Sequence, residues 1–213
     1  MATTKPEVKD QNNTGTDIQI LKSIEQAFYR NNEKSAKRNT QKSLEWFYQY
    51  VPKSHNRVRT SMIMRDASTY ADQIIPGNMY FFVYDAKHKD TLPVWDAFPM
   101  IFPFEVFNTK SGEKAFMGIN LHYLPPKLRL VAMKALLTLR NEKRYRKSTR
   151  LRMSWGILKA LASSKLFEHC VKMYLFKQVR SKFIKVPAQS WELCLFLPVA
   201  RWQKGSQSAA WKM

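Results

Sequence analysis

Cysteine is scarce: only Cys170 and Cys194 occur, and they form no CxxC pair. Two such residues are too few for a disulfide framework and fit a reducing compartment best. Acidic side chains are also few, 16 Asp plus Glu against 36 Lys plus Arg, which leaves a formal charge of +20 and a pI near 10.1. No run of 18 apolar residues occurs, so no segment reads as a membrane-spanning helix. The opening stretch, MATTKPEVKDQNNTGTD, lacks the apolar centre of a secretory signal. Together these absences imply a soluble protein made and used in the cytoplasm, or released from it, with no membrane insertion.

Catalytic signatures are missing as well. The chain holds no GxxxxGK[ST] loop, GxSxG elbow, HExxH pair or metal-spaced Cys/His cluster. His55, His88, His122 and His169 are isolated from one another. His122 lies in GINLHYL, an alternating pattern that favours a packed or edge histidine over a ligand. His169 adjoins Cys170, but catalytic Cys/His pairs are assembled by the fold rather than by adjacency, so core or helix-surface roles are expected for both. The best enzyme-like pattern is Asp85-Ala86-Lys87 at a strand end with Asp72 upstream, the skeleton of a metal-dependent nuclease class. Lys89 and Asp90 follow closely, which reads instead as a charged hairpin turn. No enzyme, cofactor or metal is expected.

What is present is a foldable chain: 45% hydrophobic and 13% aromatic residues can bury a core. Residues 1–17 read as a disordered polar leader and 18–75 as a helical extension. Helices are expected over Ile18 to Tyr29, with Asp17 as N-cap, and over Gln41 to Val51, ended by Pro52. The turn Pro76-Gly77 opens a region, 76–124, of three aromatic and β-branched runs: Met79 to Tyr84, Ala97 to Phe107 and Ala115 to Tyr123. These predict an antiparallel β unit with Phe81, Val83, Ile101, Phe104, Ile119 and Leu121 in its core. Pro93, Pro99 and Pro103 suit an edge or bulged strand. Residues 125–213 read as a basic helical region with helices over Lys127 to Arg140, Leu151 to Ala162 and Leu166 to Val179, and a last strand, Glu192 to Val199, returning to the sheet. The fold class is therefore α+β: a small antiparallel barrel, SH3-like among the options, or a sheet packed with several helices.

Charge is unevenly spread. From Lys143 onward 16 Lys plus Arg face only Glu168 and Glu192. The densest piece holds Arg140, Lys143, Arg144, Arg146, Lys147, Arg150 and Arg152, and these are the candidate polyanion-binding residues. Arginine can donate two hydrogen bonds to one phosphate, and Tyr145 within the run could stack on a base. No helix-turn-helix, zinc-finger, KH or RNP pattern appears, so contact with nucleic acid would be mainly to the backbone.

The stretch from Pro76 to Arg129 resembles a family of small proteins of T-even-type contractile-tailed phages and their marine relatives. The features that carry the likeness are Pro76-Gly77, Met79-Tyr80, Tyr84-Asp85, Leu92-Pro93, Asp96, Phe98-Pro99, Gly118 through Leu124 and Arg129. Later features are Cys170, Tyr174 through Phe176, Ser181, Phe183, Trp191 and Leu197-Pro198. Val94-Trp95 stands where the family usually has an aromatic after Leu-Pro. The resemblance implies phage origin and a late, virion-related role: a structural or assembly protein at the head, neck, tail or baseplate, present in the virion and in the host cytoplasm during assembly. Its partners would be other virion proteins, and DNA through backbone contacts. The alternative is an intracellular nucleic-acid-processing factor, the metal-dependent nuclease included. The motif residues are mostly Pro, Gly and aromatic types, which look like fold determinants.

Overall fold

The structure is a computed structural model and describes residues 33–50, 70–140 and 147–212. The expected leader and the helix over Ile18 to Tyr29 lie outside these residues. The chain is α+β. In chain order the elements are α1 (Glu33–Tyr50), β1 (Tyr70–Ala71), β2 (Met79–Phe81), β3 (Trp95–Asp96), β4 (Met100–Asn108), β5 (Lys114–Asn120), α2 (Pro126–Arg140), α3 (Lys147–Ala162), β6 (Val171–Leu175), β7 (Phe183–Val186), α4 (Trp191–Cys194), β8 (Trp202–Gln203) and α5 (Gln207–Ala210).

Six strands form one antiparallel sheet in the order β1-β7-β2-β4-β5-β6, and β3 pairs with β8 apart from it. The six-stranded sheet is open, not the closed SH3-like barrel that was one option. The expected β unit is present at its centre, and two strands from the C-terminal third complete it. Gly77 turns into β2 with φ +83°, a left-handed conformation that a side chain would strain.

Alternation along the strands gives the sheet two apolar faces. One carries Met79, Phe81, Met100, Phe102, Ile119 and Ile184 against Phe47 of α1, Met133 and Leu136 of α2, Leu158 of α3 and Trp191 of α4. The other carries Tyr80, Phe82, Ile101, Phe116, Tyr174 and Phe183, packed with Tyr84 and Ala86 and with half-buried side chains that include Ile74, Leu92 and Phe176. Phe82 meets Tyr84, Phe116, Tyr174 and Phe183 at centroid distances of 6.1, 5.6, 5.2 and 5.2 Å, each pair edge to face. Of the six core residues expected for the β unit, five are at most 3% exposed and Val83 is half-buried. Burial of each large apolar side chain contributes roughly 1.5–3 kcal/mol.

Pro103 sits in β4, which lies between β2 and β5 rather than at an edge. The bulge expected from the prolines is there: the register shifts between Pro103 and Glu105. The ladder from β4 to β2 stops at Ile101, so the missing proline N–H breaks no bond on that side. Opposite, a Cβ on Gly118 would lie 3.0 Å from the Phe102 carbonyl oxygen and 3.2 Å from Pro103 Cα, so the close approach at the bulge requires glycine.

Several boundaries differ from expectation. Helix α1 begins in the polar stretch before Gln41, and α3 begins at Lys147, ahead of the expected start at Leu151. The helix expected over Leu166 to Val179 is instead β6 flanked by 3-10 turns at Glu168–Cys170 and Phe176–Gln178. The strand expected over Glu192 to Val199 does not form: the short helix α4 and irregular chain occupy it, and β8 further on pairs with β3.

Candidate nucleic-acid interface

The predicted basic run joins α2 to α3. Arg140 ends α2, and Lys147, Arg150 and Arg152 lie in the first turns of α3, where Arg152 is exposed. Lys143, Arg144 and Arg146, and with them Tyr145, fall outside the described residues. Helix α3 continues the charge, for Lys159 reaches Glu105 of β4 at 3.2 Å.

A second basic surface, unmarked in the sequence except as lysine-rich turns, forms at one end of the sheet. The turn from Thr109 to Glu113, the loop after Tyr84 and the 3-10 turn after β6 converge there. Glu113 pairs with both Lys87, at 3.0 Å, and Lys177. Asp85 pairs with Lys89 at 3.1 Å and with Arg180 at 3.3 Å. Lys114 stands 5.2 Å above the Phe176 ring. Lys87, Lys89, Lys110, Lys114, Lys177 and Arg180 thus outnumber Asp85, Asp90 and Glu113 two to one on this rim. The two lysines hold the Glu113 carboxyl down at about 2, chiefly through the Lys177 and Lys87 hydrogen bonds. The hydrogen bond from Lys89, joined by that of Arg180, lowers Asp85 likewise. Each carboxylate stays ionised and orients two cations without neutralising both.

The Asp85-Ala86-Lys87 skeleton is taken up in this rim. Asp85 faces Lys89 and Arg180, while Lys87 turns to Glu113. Among the described residues no group of three or more His, Cys, Asp or Glu side chains could hold a metal ion.

The resemblance motif converges elsewhere, in a buried polar network. Asp96 accepts hydrogen bonds from the backbone N–H of Phe98 and Arg201, from Asn120 Nδ2 and, at 2.6 Å, from His122 Nδ1. Asn120 also donates to the Tyr174 hydroxyl. Burial pushes the Asp96 carboxyl up, but His122 and the two backbone N–H groups outweigh it and hold it below its ordinary value of 3.8. His122 is fully buried. Desolvation lowers it below 6.5 against the pull of Asp96, so the ring is neutral, with its proton on Nδ1. His122 Nε2 has no hydrogen-bond partner. Nearby, the buried Arg129 donates Nε–H to the Leu124 carbonyl and its Nη1 group to the carbonyls of Cys194, Leu195 and Leu197; burial lowers it to about 10.

A protein-family profile described as phage T4 terminal DNA protecting protein matches residues 1–213. The chain belongs to this family. No curated protein and no solved structure matches it. In this member of the phage T4 terminal DNA protecting protein family the quoted motif builds the interior: Asp96, Asn120, His122, Tyr123, Arg129, Tyr174 and Trp191 are all buried. His122 is the packed histidine its pattern suggested. His169 donates Nε2–H to the Tyr123 carbonyl oxygen at 3.0 Å, whereas the Cys170 thiol is turned to the Phe167 carbonyl oxygen. Burial raises the Cys170 thiol to about 12, which leaves it protonated. Among the described residues no helix is long and apolar enough to cross a membrane.

Proposed function

We propose that this protein binds the termini of phage DNA through sequence-independent backbone contacts and shields them from exonucleases. The observation that carries the reading is the family match over residues 1–213, a span that includes both basic surfaces. A charge of +20 supports it, because each phosphate neutralised releases counterions and contributes affinity without reading bases. Arg140, Lys143, Arg144, Arg146, Lys147, Arg150 and Arg152 form one contact, and the rim around Glu113 and Asp85 forms another. A protein with this task travels with the DNA, in the virion beside head or neck proteins and in the host cytoplasm during assembly.

The test is an exonuclease protection assay on linear duplex. Protein added in proportion to DNA ends should preserve full-length strands, and the logarithm of affinity should fall with log salt at a slope near −5 if about six phosphates are covered. Reversing Arg144, Arg146 and Lys147 to glutamate should flatten the slope by about 3. Digestion at the rate of bare DNA, with no salt-dependent binding, overturns the proposal. Mass spectrometry of purified particles tests the location, which stoichiometric presence supports.

A further inference from the structure

Contacts to internal phosphodiesters do not tell a DNA terminus from the interior of a duplex. Besides its end groups, a terminus differs in that its last base pair exposes a flat, apolar face. Recognition of an end therefore calls for a flat, accessible side chain placed beside cations.

Helix α3 presents such a group. Trp155 is 39% exposed, unusual for the residue type with the most apolar surface to hide. Arg152, Trp155 and Lys159 recur at helical spacing, so they share one stripe, and Arg152 is exposed while Lys159 is half-buried. Lys159 Nζ lies 4.5 Å from the indole centroid and is itself held by Glu105, so the ring is braced on one side. The stripe runs on from the basic segment that opens α3.

Gly156 is the second observation. It lies inside a helix, where glycine is less favourable than alanine. No described atom demands it, because a Cβ built there meets nothing within 4 Å outside its chain neighbours and its own helix backbone. Gly118 differs, since a tight contact explains it. At Gly156 the missing side chain leaves open space beside the backbone that carries the exposed indole.

We propose that Trp155 and Gly156 form the stacking platform for the terminal base pair of duplex DNA, with Arg152 and Lys159 beside it meeting the terminal phosphates. This rests on the DNA-terminus reading above and specifies how an end is distinguished.

The experiment uses the full-length protein and competition between blunt linear duplex and covalently closed circular duplex of the same sequence. The wild type should prefer the linear form. Trp155→Ala should reduce that preference about tenfold, the scale of one lost base stack, with an unchanged salt slope because no charge is removed. Trp155→Phe should retain most of it. Gly156→Leu should also weaken end binding while melting no lower than the wild type, since leucine favours the helix; a merely structural glycine would give lower stability instead. Should Trp155→Ala fail to fold, Gly156→Leu decides. Wild type that binds no DNA sinks both the reading and the platform. Wild type that prefers ends, with Trp155→Ala or Gly156→Leu equally selective, overturns the platform alone and leaves the DNA-terminus reading standing.

Discussion

Asp96 and Glu113 put one functional group into two opposite settings. Asp96 is buried and receives four hydrogen bonds, two from backbone: one local, from Phe98, and one from the distant Arg201. Glu113 stands on the rim among lysines and is shared by two of them. In the interior a carboxylate survives only if its lone pairs are filled, so it dictates where the chain must pass. On the rim, water would solvate it in any case, and its effect is to hold cations in place. The family motif thus marks the first setting, and the proposed DNA contact falls in the second.

The largest effect that would test this contrast is expected from Asp96→Ala. Removing it strips four donors of their acceptor, and loss of a partner from a buried charged network costs roughly 3–5 kcal/mol. A urea midpoint within error of the wild type would remove Asp96 from its organising place.

Acid sensitivity should come next. The folded pKa of His122 lies below its ordinary 6.5, so the unfolded chain takes up the proton first. Stability present above pH 6.5 is therefore lost as pH falls through the folded value, and Asp96, lowered from 3.8, adds a further loss at lower pH. His122→Gln should flatten the first part of this profile in urea titrations across pH, whatever its cost at neutrality; an unchanged profile would assign the proton uptake to another group.

Smallest is the expected effect of Glu113→Gln on stability, because its two lysine partners are exposed and solvent screens the pairs. Its melting temperature should match the wild type in moderate salt, while affinity for duplex DNA rises as a rim anion is removed. Weaker DNA binding would show that Glu113 is needed to orient Lys87 and Lys177 rather than merely tolerated between them.

The β core was legible in the sequence because turn residues and lysine-rich loops punctuate its aromatic runs, and even the bulge announced itself in Pro103. Two later segments were not. Leu166 to Val179 carries apolar residues that satisfy both periods: Phe167, Cys170, Val171 and Tyr174 fit a helix, while Val171, Met173 and Leu175 fit a strand. Pairing with β5 decides for the strand, and that partner lies far away in sequence. Within the run from Glu192 to Val199, Leu193 to Leu197 is continuously apolar, which periodicity cannot assign. There the Arg129 guanidinium takes the carbonyls of Cys194, Leu195 and Leu197, so this backbone is satisfied outside any sheet. The candidate interface was legible as charge between α2 and α3. The rim escaped notice because its six cations come from three separate turns, and Trp155 because an exposed and a buried tryptophan look alike in a string of letters.

The position of β7 has a kinetic consequence. It lies between β1 and β2 and pairs with both, yet follows them by roughly a hundred residues of chain. The β4–β5 hairpin closes over a short turn and can form early. The slot between β1 and β2 can be filled only after a long loop has closed, at an entropic cost that local contacts do not offset. Refolding is accordingly expected to be limited by this insertion, and a nascent chain that has not yet delivered β7 carries two neighbouring strands with unpaired edges, the form most prone to self-association.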